Sequence, residues 1–139
     1  MSKYVIPQEL YYTEDHAWIK LEGNTVRIGI SDFMQQLAGE ITFIRVPRVG
    51  KTLAAGATLS SIQSGKWAGK LKVPMNGKVL ETNSALTTNP KLLNDDCYGQ
   101  GWICVMEPEN LAGSLGTLLH GETAEKFFAE EEAKHAKPE

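Results

Sequence analysis

Apolar residues fall in short runs separated by glycine, proline and asparagine, and within many runs apolar and polar positions alternate. That is the pattern of strands with one buried face. "HAWIKLEG" and "NTVRIGI" flank Gly23-Asn24, a pair suited to a hairpin turn. In "EITFIRV" the alternation predicts Ile41, Phe43 and Arg45 on one face and Thr42, Ile44 and Val46 on the other. "ATLSSIQ", "GKLKV", "GKVLET" and "GWICVM" read as further strands. Frequent glycine between short strands predicts a mostly β sandwich or barrel. Three segments leave this period. "SDFMQQLA" predicts a helix capped by Ser31, with Phe33, Met34 and Leu37 as its apolar stripe. "NPKLLN" predicts a short helix with Pro90 at its first position. "TAEKFFAEEEAKHA" predicts a C-terminal helix capped by Thr123, packed on the sheets through Phe127 and Phe128.

An internal echo adds symmetry. "VPRVGKTLAAGATL" begins at Val46 and "VPMNGKVLETNSAL" at Val73, and both read V-P-x-x-G-K-x-L with a leucine six residues later. The offset is 27 residues. Such a repeat predicts two pseudo-symmetric half-sheets, joined by a hairpin near Lys66.

Bulk properties narrow the function. The 139 residues suit one domain, and net charge -3 gives no general basic field for nucleic acid. No apolar run approaches the ~20 residues of a membrane span, and the N-terminus lacks a secretion-signal layout, so a soluble cytoplasmic protein is expected. Two cysteines make no disulfide framework, and scattered histidines make no metal site. Cys104, in "WICVM", reads as a core residue; Cys97, in the polar "NDDCYGQG", is expected to be accessible. A small redox protein using Cys97, with Cys104 as resolving thiol, is therefore a competing reading, weakened because no base or helix N-terminus can be placed beside Cys97.

The chemistry points to a lysine. In "GKLKVP", Leu71 and Val73 share one face and Lys70 and Lys72 the other, which accounts for both as the solvent side of a strand. Lys66 falls outside that alternation, between Gly65 and Trp67, with a second glycine at Gly69. A turn is predicted there, and a lysine at its tip can enter another protein's active site.

"SGKWAGKLKVPMNGKV" resembles the lysine hairpin of lipoyl-carrier domains, which in glycine cleavage H proteins reads E-S-V-K-A-x-x-D-I-x-x-P-x-x-G-x-V. "YYTEDHAWIKLEGNTVRIGISDFMQQLAGEITFIRVPRVG" is similar to the N-terminal half of those proteins, and "LLNDDCYGQGWICVMEP" to their loop and last strand. The resemblance implies a lipoyl-domain fold, the barrel-sandwich hybrid or hammerhead. It implies a short helix after the N-terminal hairpin, a core over about 10–108 and a C-terminal helical extension over about 109–135. It further implies a carrier rather than an enzyme, with lipoate joined by an amide to Lys66. Its partners would be a lipoate-protein ligase or lipoyl-assembly enzymes and a heterodisulfide-reductase-like complex, or alternatively the P, T and L proteins of glycine cleavage. A free monomer, with no nucleic acid or membrane partner, is expected. His16, Trp18, Gly65 and Trp67 would lie in the arm's surroundings, with Ala17 and Lys70.

Two of those positions depart from the family pattern. Its H-E-W motif reads His16-Ala17-Trp18 here, and the aspartate four residues after the lipoyl lysine is Lys70. "IRVPRVGK" places Arg45, Arg48 and Lys51 where acidic residues are common. A cationic aminomethyl cargo would lose two anionic neighbours, and opposite charges a few ångströms apart are worth about 1–4 kcal/mol near a surface. On charge complementarity the expected function is therefore carriage of a sulfur-bound, anionic intermediate. That resembles the lipoate-binding proteins that serve a heterodisulfide-reductase-like complex in oxidising thiosulfate to sulfite. The alternative is the glycine cleavage H protein carrying the aminomethyl intermediate.

Overall fold

In a computed structural model, the described residues are 9–13, 16–65, 68–116 and 118–135. The N-terminal half contains β1 (Tyr11–Tyr12), β2 (Ala17–Glu22), β3 (Thr25–Ile30), α1 (Asp32–Ala38), β4 (Ile41–Arg45) and β5 (Thr52–Leu53). The chain then forms β6 (Thr58–Ser64), β7 (Ala68–Lys72) and β8 (Gly77–Thr82), followed by α2 (Ala85–Thr88) and α3 (Leu92–Asp95). It closes with β9 (Cys104–Pro108), α4 (Leu111–Leu115), β10 (Leu119–His120) and α5 (Glu122–His135). The strands form a seven-stranded sheet, ordered β10-β1-β2-β3-β9-β8-β5, and a three-stranded sheet, ordered β4-β6-β7. The fold is mostly β in two sheets, as the strand pattern of the sequence predicts.

The β2–β3 hairpin turns at Gly23-Asn24, with Glu22 opposite Thr25. Gly23 takes φ +65, which costs a glycine little. Strand parity holds on β7: Leu71 is buried, while Lys70 and Lys72 are exposed. It fails on β4. The register shifts between Ile41 and Phe43, so a bulge at this point puts Ile41 and Ile44 inside and leaves Phe43 exposed. Simple alternation had placed Ile41 and Phe43 together.

The two copies of the repeat pair with each other. β5 of the first lies antiparallel to β8 of the second, with Thr52 opposite Lys78 and Leu53 opposite Gly77. The Gly50 amide donates to the Val79 carbonyl, and the Val79 amide to the Lys51 carbonyl. Leu59 and Leu86, the matching leucines, are both buried. Thus each copy supplies one strand to a shared edge of the larger sheet, and the two sheets differ in size.

Helix α1 starts as predicted. Ser31 is extended, and its Oγ accepts from the Met34 amide at 3.2 Å. Ser31→Ala should therefore lower stability by about 0.5–2 kcal/mol in urea denaturation. The other helices differ in detail. Pro90 lies before α3, which begins at Leu92 after Lys91. Thr123 lies inside α5, where its Oγ1 donates to the His120 carbonyl at 2.8 Å and accepts from the His120 amide. It ties β10 to the helix instead of capping it. Helix α2 falls in a segment where the sequence predicts none, whereas α4 lies within the helical extension expected over about 109–135.

Two clusters fill the interior. The main one lies between the sheets and includes Ile28, Ile30, Ile62, Leu71 and Met106. The second gathers Leu10, Tyr12, Trp18, Phe33, Ala124 and Phe128, and it seats α5 on the larger sheet.

Candidate functional site

The hairpin between β6 and β7 carries the candidate attachment point. Its stem pairs Ser61 with Lys70, Ile62 with Gly69 and Gln63 with Ala68. Ile62 on one strand and Leu71 on the other anchor the inner face of the stem in the core. The Ser64 hydroxyl donates to the Ala38 carbonyl at 2.6 Å, fixing the end of β6 to the end of α1. Behind that contact stands Asn94. Its Oδ1 accepts from the Ile41 amide at 2.8 Å, and its Nδ2 donates to the Gly39 carbonyl at 2.8 Å. The base of the hairpin is thus tied to two helices through polar bonds. No feature of "LLND" read alone marks Asn94 for that role.

Lys66 and Trp67 lie outside the described residues, at the chain reversal between β6 and β7. Gly65, just before them, is exposed, and a Cβ built there meets nothing within 4 Å. Lys70 is exposed on the stem, opposite Ser61.

The H-A-W residues lie at the start of β2. Ala17 is fully buried in β2, opposite Ile30. The buried Trp18 ring lies over Gly29, where a Cβ would come within 2.6 Å of the indole. Its Nε1 donates to the Cys97 carbonyl at 2.7 Å. His16 takes φ +72, uncommon for a residue with a side chain. Several bonds hold it there. Its amide donates to the Thr13 carbonyl, its carbonyl accepts from the Ser31 amide, and its Nε2 meets Glu131 Oε1 at 2.6 Å. Its ring also faces Phe33 at 4.9 Å and Phe127 at 5.8 Å. Among the described residues, the contacts of His16 and Trp18 therefore run to α1, α5 and the 97–98 loop.

Cys97 is not the accessible thiol expected. It is 7% exposed, and burial, with Asp32 and then Asp96 nearby, pushes its pKa from 9.0 to about 12. Cys104 is fully buried, as expected, and burial raises it likewise to about 12. Both are free thiols, held in the protonated form that is a poor nucleophile. The redox reading loses its accessible thiolate. Iodoacetamide at about pH 8 should leave both unlabelled in the folded chain and label both once it is unfolded in urea. The same shifts fix a sign. Each raised thiol favours the folded state fully below pH 9.0, and that contribution is lost as pH rises toward about 12. The thermal midpoint should fall over that window, more steeply than in Cys97→Ala.

A rigid two-sheet β scaffold that presents a hairpin end on an anchored stem defines a carrier protein, built to offer one side chain to other enzymes. The family profile described as "Glycine cleavage H-protein" matches residues 10–131. The glycine cleavage system H protein of Carboxydothermus hydrogenoformans is 42% identical over 127 residues, covering 91% of this chain and 97% of that protein. That of Bacteroides thetaiotaomicron is 43% identical over 116 residues, covering 84% and 91%. The crystal structure of a glycine cleavage system H protein from Mycobacterium marinum superposes with a TM-score of 0.79 at 31% identity, covering 91% of this chain and 98% of that one. The chain belongs to the glycine cleavage H-protein family, and so is a lipoyl carrier and not an enzyme.

These relatives overturn the sulfur-oxidation reading, because the similar proteins along almost the whole chain are glycine cleavage H proteins. Ala17 is buried in β2 of the larger sheet, and Lys70 is exposed on β7 of the smaller one.

Proposed function

We propose that the chain is the lipoyl-bearing H protein of a cytoplasmic glycine cleavage system, with Lys66 as the attachment residue. The observation that carries the assignment is the β6–β7 stem. Lys70 and Lys72 belong to the paired strand β7, whereas position 66 follows Gly65 in the sequence between β6 and β7, which supports reading it as the attachment residue. A ligase needs a lysine amine that can enter its own active site, and a strand lysine beside paired backbone is held back from doing so. The bound group would supply a cyclic disulfide: the carbon nucleophile left by decarboxylation would form a C–S bond to one sulfur as the S–S bond breaks and the other sulfur leaves as thiolate.

The chain's own part is mechanical. The anchored stem keeps the attachment point in a fixed place, and the tether raises the concentration of the carried group at each docked enzyme. No general base is required of the carrier. Residues 10–108 and the helical extension over 109–135 act as one carrier domain, visited by a lipoate-protein ligase and by the P, T and L proteins.

Co-expression with a lipoate-protein ligase, followed by intact-mass and peptide mapping, should show one lipoyl group, on Lys66. The loaded protein should then support glycine-bicarbonate exchange with P protein. A lipoyl group found on another lysine would refute the site. A correctly loaded protein that supports no exchange would refute the pathway.

A further inference from the structure

The three-stranded sheet has one face on the core and one face open. On the open face a single row crosses all three strands, with Arg45 opposite Ser61 and Ser61 opposite Lys70. The chain leaving β4 brings Arg48 and Lys51 to the same place. Together Arg45, Arg48, Lys51 and Lys70 line a groove of about 490 Å³, floored by Thr58, Ser60 and Ser61 among others. Among the described residues no carboxylate lines this groove, and no ion pair engages any of the four cations. Yet the chain as a whole carries net charge -3. Positive charge has been gathered on one face of an acidic protein, where like charges repel unless something anionic covers them.

Apolar exposure coincides with it. Phe43 and Val49 are 50% and 56% exposed, more than any other large hydrophobic residue described. Phe43 stands on the same open face, two pairs nearer the hairpin end, opposite Gln63. Val49 lies between Arg48 and Lys51 in sequence. Cations with exposed apolar anchors among them form the usual surface of a protein docking site, in which charge steers the encounter and apolar anchors hold it.

We propose that this open face is a docking surface for an acidic segment of a partner protein, one that carries an apolar side chain among aspartates or glutamates. Arg45, Arg48, Lys51 and Lys70 pair with the carboxylates, and Phe43 takes the apolar side chain. The next row beyond Phe43 leads to the hairpin reversal, so a partner seated here has the attachment residue at its edge. That placement rests on the reading of Lys66. The docking itself does not.

The test uses the full, unlipoylated chain, so its result is independent of Lys66. The probe is a fluorescein-labelled peptide of alternating glutamate and leucine, with binding followed by anisotropy and by amide shifts in NMR. The peptide should bind, shift amides of β4, β6 and β7, and weaken roughly tenfold or more as salt rises from about 50 to about 300 mM. Arg45→Glu with Lys70→Glu should cut affinity at least about tenfold. Lys20→Glu with Lys126→Glu, the same charge change at exposed sites that do not line the groove, should leave affinity within about twofold. Phe43→Ser should weaken binding without changing its salt dependence. Circular dichroism melts of each variant guard against misfolding. No binding would overturn the proposal, as would equal loss in the control pair. Inorganic phosphate producing the same shifts and displacing the peptide at equal concentration would overturn it in favour of a small-anion site. Capture by phosphatidylglycerol vesicles with no peptide binding would overturn it in favour of a lipid surface. A lysine 66 that carries no lipoate would leave the docking result standing, and absent docking would leave the attachment result standing.

Discussion

Lys66→Arg should abolish carrier turnover while leaving the fold intact. Arginine keeps the charge and much of the length of lysine, but its guanidinium stays protonated and offers no free amine for an amide bond. The reversal carrying residue 66 lies beyond the last described pair of the stem, Gln63 with Ala68, so neither the pairing nor the core depends on that side chain. Lys70 and Lys72 cannot take over, because they stand on a paired strand. Turnover in a reconstituted glycine cleavage assay should drop by about 10²–10⁴ or more, the advantage a tether confers over free diffusion. Intact mass of the variant should show no lipoyl increment, and its urea midpoint should match that of the parent. An undiminished rate from Lys66→Arg would remove the attachment assignment.

Trp18→Ala should be the most damaging core substitution, at about 3–5 kcal/mol. The ring is 1% exposed, and it occupies the space that Gly29 leaves by lacking a Cβ. It joins β2 to the second cluster, beside Phe33 and Phe128, and its Nε1 reaches the Cys97 carbonyl at 2.7 Å. Alanine would leave a large cavity and an unpaired carbonyl together. Trp18→Phe separates the two costs. It keeps most of the ring volume and should lose about 1–3 kcal/mol for the carbonyl and the smaller ring. Because Trp18 helps seat α5, the alanine variant should also expose that helix early in limited proteolysis. Equal urea midpoints for Trp18→Ala and Trp18→Phe would contradict this division.

The strand pattern, the hairpin at Gly23-Asn24 and the cap at Ser31 were readable because each depends on residues close in sequence. The strand placement of Lys70 and Lys72 was readable for the same reason. The bulge in β4 was not readable. Alternation counts residues two by two, and an extra residue at a register shift leaves no mark in "EITFIRV". Strands β1 and β10 have two residues each, too short to show a period. Cys97 misled because its neighbours Asp95 and Asp96 are polar. The loop nevertheless turns Cys97 and Tyr98 inward, where the Tyr98 hydroxyl accepts from the Asp32 amide at 2.9 Å. Ala17 and Lys70 match two positions of a single family motif set, but only the sheet order shows that they lie on different sheets.

The order β4-β6-β7 leaves two strands of the smaller sheet with an unpaired side. Such sides invite strand addition by a second copy, which ends in polymers. The kink in β4 spoils the straight template a newcomer would need, and the exposed lysines of β7 would face their own kind across any such junction. The smaller sheet is thereby guarded at both edges against strand addition by another copy of the chain.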